Sequence, residues 1–600
     1  MGVVLTLESR VKSLFGMLGV AALLVACADS AVAPIPGTPD PVLSDLGSMN
    51  VGDVRTLTFS AASGGLTIPA ALQSAQFAVI LGNANVNAGT VGNYGVRGDW
   101  FAPSTPGPAA DLLPPTQREL TAPPIMSRGA EFEASLRSFE RNHLPRPGGQ
   151  IAPGSGAAAN RMVPNPARAT NPPPAVGSTI PFKVLTQAGF SGVSTSACSA
   201  KGFVSTLGSV KYVSQHAIVV SDVDSPPNGF TAADFQAVGD EFDQLIYPTD
   251  VGYFGMPTDL DNNGRIFIYY TPAVNKLTPA GQAGKTGYVG GFFFAGDLYP
   301  PTSAGCLASN QGEIFYLLAP DPTGVNGNSF STAFVRQITR GTVAHEFQHM
   351  INSGNRYTSP VVENFEATWL DEGLAHFAED AVGRVKAGFA DDHTVGYDDI
   401  NQLDTTVTQA FFLQNFARSK YYIERPDTTA AIVNHTKAAA NLASRGAEWA
   451  LVRYAADWFN TGGDPRTLTR ALVAGPDTGT VNLVKASRVP MDTILAHFLV
   501  TLYTDHRNVV PDGSPYNYKS YNFRELIAGT LIGNETATRY LPVTAVGVGT
   551  STLSATVPAS SAAYFLTSPS GSGARTIRIT DASGNSSADP NGRVYVVRVK

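Results

Sequence analysis

The segment His345-Glu346-Phe347-Gln348-His349 places two imidazoles four residues apart, with a carboxylate between them. On an α-helix, residues i and i+4 stand about one turn apart, near 6 Å along the axis, so both rings can face one ion. Tetrahedral zinc takes histidine nitrogen at about 2.0–2.1 Å, a demand this spacing suits. Glu346, one step from His345, points beside such an ion. From there it can take a proton from a water without filling a ligand position, which is the placement of a general base.

Two histidines do not complete a catalytic zinc site, which needs a third protein ligand. A third histidine on the same segment would require Gly at 352 and His at 355, and both are Asn. A carboxylate from a second helix is the alternative, and Trp369-Leu370-Asp371-Glu372-Gly373-Leu374-Ala375 offers Glu372. Glu363, Glu366 and Asp371 are rival ligands. Glu379 lies seven residues beyond Glu372, almost two turns on and on the same stripe, placed to hydrogen-bond a ligand histidine from behind. His376 shares that stripe and competes for the role. The plainer reading of Glu379 is a solvated surface charge.

The helix carrying the motif must be held firmly. Thr332 can cap it, Val343, Phe347, Met350 and Ile351 form an apolar face, and Ile338 and Thr342 make the histidine side apolar as well, so burial on both sides is expected. Gly341 is a weak point in its interior, and Gly354 can end it. Trp369, Leu370, Leu374 and Phe377 give the second helix its packing surface. Before these helices, Lys211-Tyr212-Val213, Ala217 to Val220, Ile266 to Tyr270 and Glu313 to Leu318 read as strands, with a helix over Ala232 to Leu245. Residues 332–505 read as mainly helical. The fold class is therefore α+β, with small β units at both ends.

Composition divides the rest. Of the 600 residues 15% are charged, Gly (59) and Pro (42) are abundant, and the net charge is −7, which disfavours nucleic-acid binding and suits an exported chain rich in turns. Arg10 and Lys12 precede an apolar stretch from Leu14 to Ala26, too short to span a bilayer, that ends Leu24-Val25-Ala26-Cys27 like a bacterial lipobox. The expected organisation is a lipoprotein signal peptide over 1–26, lipidation of Cys27 and a tether over 27–50. A small β domain follows over 51–102, then a proline-rich linker over 103–180, a catalytic lobe over 181–380, a helical lobe over 381–510 and a C-terminal β-sandwich over 511–600. Phe132, Leu136 and Phe139 mark one short amphipathic helix inside the linker, expected to have no part in chemistry. With Cys27 lipidated, Cys198 and Cys306 remain, and an oxidising compartment predicts a disulfide between them, adding about 2–4 kcal/mol. The chain is expected to be exported, lipid-anchored to the bacterial cell envelope or secreted, touching membrane only through that anchor. Oligomeric state is not readable.

The pairing of His345–His349 with the stretch Trp369 to Glu379 resembles a gluzincin zinc peptidase. The phrases Ile246-Tyr247-Pro248, Asp261-Asn262-Asn263-Gly264-Arg265, Gly287-Tyr288-Val289-Gly290-Gly291-Phe292-Phe293 and Gly312 to Leu318 extend the resemblance to the hyicolysin-type metallopeptidases over about residues 180–505. It implies a thermolysin-like catalytic domain, a β-sheet lobe followed by a helical lobe. It also implies one Zn2+ held by His345, His349 and Glu372, Glu346 as base, and protein or peptide substrates. The proline-rich insert and lipobox depart from that pattern. Tyr397, Tyr421, Tyr422, His393 and His435 are candidate oxyanion donors, and Gly312 to Ala319 is a candidate edge strand for binding substrate backbone. Asp259-Leu260-Asp261-Asn262-Asn263-Gly264 resembles the start of a Ca2+ loop, but Tyr270 stands where the bidentate Glu belongs, so a plain turn is expected. Two other readings compete: a surface binding or adhesion lipoprotein on a peptidase scaffold, and a zinc aminopeptidase. The intact His345, Glu346, His349 and Glu372 speak against the first, and the lack of a Gly-x-Met-Glu-Asn-like phrase against the second.

Overall fold

A computed structural model of the chain describes residues 45–98 apart from 63, 64 and 88, then 112–113, 128–148, 171–186, 198, 202–432, 442–528, 540–547, 552–567, 573–585 and 589–600. The signal segment and Cys27 lie outside these residues. Strands β1 (Val54–Thr58), β2 (Leu66–Ile68), β3 (Phe77–Asn83), β4 (Val91–Gly98) and β5 (Leu112–Leu113) come first, followed by helix α1 (Arg128–His143). Strands β6 (Thr179–Leu185), β7 (Phe203–Val213), β8 (Ala217–Asp222), β9 (Ile266–Thr271), β10 (Gly291–Phe293) and β11 (Ile314–Leu318) build the central sheet. Helices α2 (Ala232–Glu241) and α3 (Tyr247–Phe254) fall between β8 and β9. Helices α4 (Thr332–Thr358), α5 (Thr368–Ala387), α6 (Leu413–Ile423), α7 (Leu442–Trp458) and α8 (Met491–Thr504) follow. Strands β12 (Val543–Val546), β13 (Leu553–Pro558), β14 (Ser561–Thr567), β15 (Arg575–Asp581) and β16 (Gly592–Arg598) close the chain. The architecture is α+β.

The central sheet runs β10-β11-β9-β8-β7-β6. Its middle pairs, β11 with β9 and β9 with β8, are parallel, and the outer ones antiparallel. Every residue of β8, β9 and β11 is buried, as their unbroken apolar runs require of parallel strands covered on both faces. The edge nearest the motif helix is β10. The candidate edge strand read at Gly312 to Ala319 is instead interior, with β10 on one side of it and β9 on the other. The short Gly291–Phe293 segment is the edge strand at that end of the sheet, β6 being the edge at the other.

The terminal β units are not two separate domains. Strands from both ends interleave in two sheets, β1-β16-β3-β14-β12-β5 and β13-β4-β15-β2. Strand period explains how this block joins the rest. Phe77, Val79 and Leu81 of β3 face the core between these sheets, while Ala78 and Ile80 face the helical core. Tyr564 of β14 crosses to α8, its hydroxyl donating to the Leu499 carbonyl at 2.8 Å. The boundary expected at 380 also dissolves, since α5 runs through it and one apolar core unites the sheet and the helices. Cys198 and Cys306 are joined by a disulfide, their Cα atoms 4.8 Å apart.

Helix α4 begins at Thr332, the residue expected to cap it. Ser331, not Thr332, is the N-cap, its hydroxyl accepting from the Phe334 N–H at 3.1 Å. It also runs past Gly354 to Thr358. Both glycines serve close approach: a Cβ at Gly354 would stand 3.0 Å from the Thr258 side chain, and one at Gly341 only 2.3 Å from the Ala410 carbonyl oxygen. Among the described residues, no helix is long and apolar enough to cross a membrane.

Candidate metal centre

Helix α4 carries His345, Glu346 and His349, and α5 packs along it and carries Asp371, Glu372, His376 and Glu379. All seven side chains are buried. The two imidazole Nε2 atoms face each other at 3.2 Å. Glu372 Oε2 lies 3.4 Å from His345 Nε2 and 3.9 Å from His349 Nε2. Donors on the corners of a tetrahedron with arms of about 2.0–2.1 Å would stand about 3.3–3.4 Å apart. The triangle already has nearly those dimensions.

What stands behind each ring decides which nitrogen faces inward. His345 Nδ1 is 2.7 Å from Glu379 Oε1, and His349 Nδ1 is 3.0 Å from Asp371 Oδ2. A carboxylate behind Nδ1 favours the proton there and leaves the Nε2 lone pair free. Across 3.2 Å the two inward nitrogens need a proton or a metal cation between them. Glu372 Oε1 is buried without a hydrogen-bond partner among the described residues. The donor set therefore fits a divalent cation of zinc's preferences, with His345, His349 and Glu372 as its holders.

The electrostatics agree. Burial opposes charge on Glu372, yet Arg445 and the two imidazoles hold its carboxyl well below the usual range. Arg445 Nη1 is 2.6 Å from Glu372 Oε2. Glu379 is held low in the same way, against its burial, by His376 and His345. Burial opposes charge on His345, but its bonds to Glu372 and Glu379 outweigh that and push it up to about 10. Such a proton is what a cation at the same point would displace. Burial, then the charge of Glu133, pushes Glu346 up to about 7, and its Oε2 accepts from the Phe293 N–H of β10 at 2.9 Å.

The candidates read from sequence therefore divide. His345, His349, Glu372 and Glu346 come together, with Glu379 behind His345. His376 bonds Glu379 at 2.9 Å and meets Arg418 and Arg445, and burial and Arg418 lower it to about 3, so it acts on Glu379 and not on a ligand ring. Asp371, weighed as a rival ligand, stands behind His349, where Asn352 Nδ2 donates to it at 2.6 Å. Glu363 is exposed, and Glu366 pairs with Arg356. Of the oxyanion candidates, Tyr422 lies buried and parallel to Phe498, and His393 pairs with Asp399. The Tyr397 N–H meets Glu525, and Tyr421 packs on the core. None of them is bonded to the four central residues, and His435 lies outside the described residues.

Two groups went unread. Arg445 is buried within a helix of small and apolar residues, an interruption that was the available signal. The linker helix α1 carries Glu133, Arg137 and Glu140 at i, i+4 and i+7, a charged stripe beside the apolar one. Helix α1 sits at the site: Glu133 offers an oxygen within 4.8 Å of donor atoms of both Glu346 and His349.

No family model matches the chain. It is 30% identical over 152 residues to the neutral metalloprotease ShpI of Staphylococcus hyicus, a match covering 25% of this chain and 32% of that protein. The chain thus spans about a third of that relative's length, and over this stretch it is related to a metallopeptidase.

Proposed function

We propose that this protein is a zinc-dependent endopeptidase of the gluzincin kind, similar to the hyicolysin-type enzymes, with one zinc held by His345, His349 and Glu372. The observation that carries the reading is the triangle of two Nε2 atoms and one carboxylate oxygen, 3.2, 3.4 and 3.9 Å on its sides, with a carboxylate behind each ring. When bound, the ion supplies a positive charge that acidifies a water and polarises a peptide carbonyl.

The chain's own groups do the rest. Glu346 takes the proton of the attacking water and passes it to the leaving amine. Its raised pKa, about 7, suits a group that must both accept and give a proton near neutrality. The Phe293 N–H holds one of its oxygens in place. Arg445 keeps Glu372 ionised and oriented, and Glu379 and Asp371 fix the imidazole tautomers. Phe293 at the end of edge strand β10 and Ala295 two residues beyond it present a carbonyl and an N–H, a pair to which an extended peptide can add as a strand. That mode needs no free N-terminus and favours internal cleavage over aminopeptidase action. The lipobox ending at Cys27 supports export and anchoring to the cell envelope.

The test compares casein hydrolysis by the wild-type chain and Glu346→Gln at equal zinc loading. The variant should keep one zinc per chain and lose about 10²–10⁴-fold in rate. Equal and measurable hydrolysis by the two would refute the role of Glu346, and a variant without zinc would move that residue into the ligand set.

A further inference from the structure

Helix α1 lies across the metal centre, and its side chains occupy groups a substrate would need. Glu133 offers an oxygen within 4.8 Å of donor atoms of Glu346 and His349. Arg137 donates to the Phe293 carbonyl at 2.8 Å, and Glu140 accepts from the Ala295 N–H at 2.7 Å. The first lies at the end of β10, on the side away from β11, and the second two residues beyond that strand. Arg137 also holds Glu140 at 2.7 Å and Glu133 at 3.4 Å, so one guanidinium binds the two acids and the strand together.

The rest of the segment is seated at both ends of the cleft. Arg128 donates to the Leu277 carbonyl at 3.1 Å. Phe132 packs on Phe292 with ring centres 5.2 Å apart. Arg141 bonds Thr368 at the start of α5, and Tyr299 donates to the Pro145 carbonyl at 2.9 Å. At Gly148 the backbone approaches so closely that a Cβ would stand 1.7 Å from the Val362 carbonyl oxygen.

A helix present only for packing would bury its apolar stripe and leave its charges in water. Here Glu133, Arg137 and Glu140 are each less than 7% exposed. Burying charges is unfavourable before they are paired, so that stripe is an unfavourable way to fill space. It is a favourable way to satisfy a polar cleft whose cation, base and strand edge would otherwise face solvent.

We propose that α1 is an internal plug: it fills the substrate cleft of this chain, with Glu133 over the metal donors and Arg137 and Glu140 at the end of edge strand β10, and keeps the enzyme latent until it is displaced. This rests on the peptidase reading and adds the regulation of that site.

The test uses full-length, zinc-loaded wild type, Glu133→Gln and Arg137→Gln. Two rates are read on each: zinc transfer to the chelator 4-(2-pyridylazo)resorcinol, and casein hydrolysis. Glu133→Gln is isosteric, and an unchanged far-ultraviolet circular dichroism spectrum certifies its fold, so it decides alone if Arg137→Gln does not fold. Zinc transfer should accelerate at least threefold, and casein hydrolysis should rise with it. A zinc-transfer rate within threefold of wild type overturns the plug. If casein is then still cleaved in a Glu346-dependent way, the peptidase reading stands without the plug. If zinc transfer accelerates and no chain cleaves casein, α1 does cover the metal, but latency and the peptidase reading fall together.

Discussion

Among the described residues four groups of three ligand-type side chains have donor atoms within 4.8 Å of one another; three overlap around His345 and His349, the fourth is Asp259, Asp261 and Glu313, and the two places differ in what their lone pairs are already doing. At Asp259, Asp261 and Glu313 the carboxylates are spent on their own loop. Asp259 accepts from the Gly264 N–H at 3.1 Å, Asp261 from the Asn263 N–H at 3.1 Å and Glu313 from the Leu260 N–H at 3.0 Å. At His345, His349 and Glu372 a carboxylate stands behind each ring, the two inward nitrogens face each other and Glu372 Oε2, and Glu372 Oε1 has no hydrogen-bond partner among the described residues. Closeness of donors is common to both. Only the second arrangement gains from a cation, because only there does the fold turn lone pairs toward one point.

The sharpest way to break that contrast is to remove a donor from each cluster. His349→Ala should take bound zinc from one equivalent to none after dialysis against a chelator, while Asp261→Asn leaves it at one, as read by elemental analysis. Next in size is the outer layer. Glu379→Ala should weaken zinc affinity about 10–100-fold by freeing the His345 ring, and Asp371→Ala should do the same for His349, both measured by competition with a chelator of known affinity. If neither moves the affinity, the carboxylates behind the rings are surface charges and the contrast loses its basis.

The smallest effect belongs to the acidic loop. Burial first, then the charge of Asp261, pushes Glu313 up to about 8, and burial pushes Asp261 up to about 7. Both folded values lie above those of the unfolded chain, so the folded state binds more protons between about pH 4 and 8 and its stability falls as pH rises through that window. The melting temperature in chelator should decline from pH 5 to pH 8, and Glu313→Gln should flatten the decline. An equal slope in the variant would place the titration elsewhere.

The candidate site was legible because its spacing follows from helix geometry: His345 and His349 share a face of α4, and Glu372 and Glu379 share a face of α5. The place of Asp371 behind His349 went unread although the same geometry gives it. It is one residue from Glu372 and so points about 100° away, behind His349. Arg445 could not be located, since nothing local says which buried arginine faces which helix. The pairing of β3 with β14 and β16 was equally hidden, because strand partners nearly 500 residues apart leave no mark on either sequence. Proline-rich flanking sequence made α1 look like an island in a linker, although its charged stripe at 133, 137 and 140 stood in plain view.

The most direct measurement is anomalous diffraction at the zinc edge from crystals of the zinc-loaded chain. The account predicts one strong peak, about 2.0–2.1 Å from Nε2 of His345, Nε2 of His349 and a carboxylate oxygen of Glu372. A peak at Asp259, Asp261 and Glu313 instead, or none within reach of both imidazoles, would contradict it.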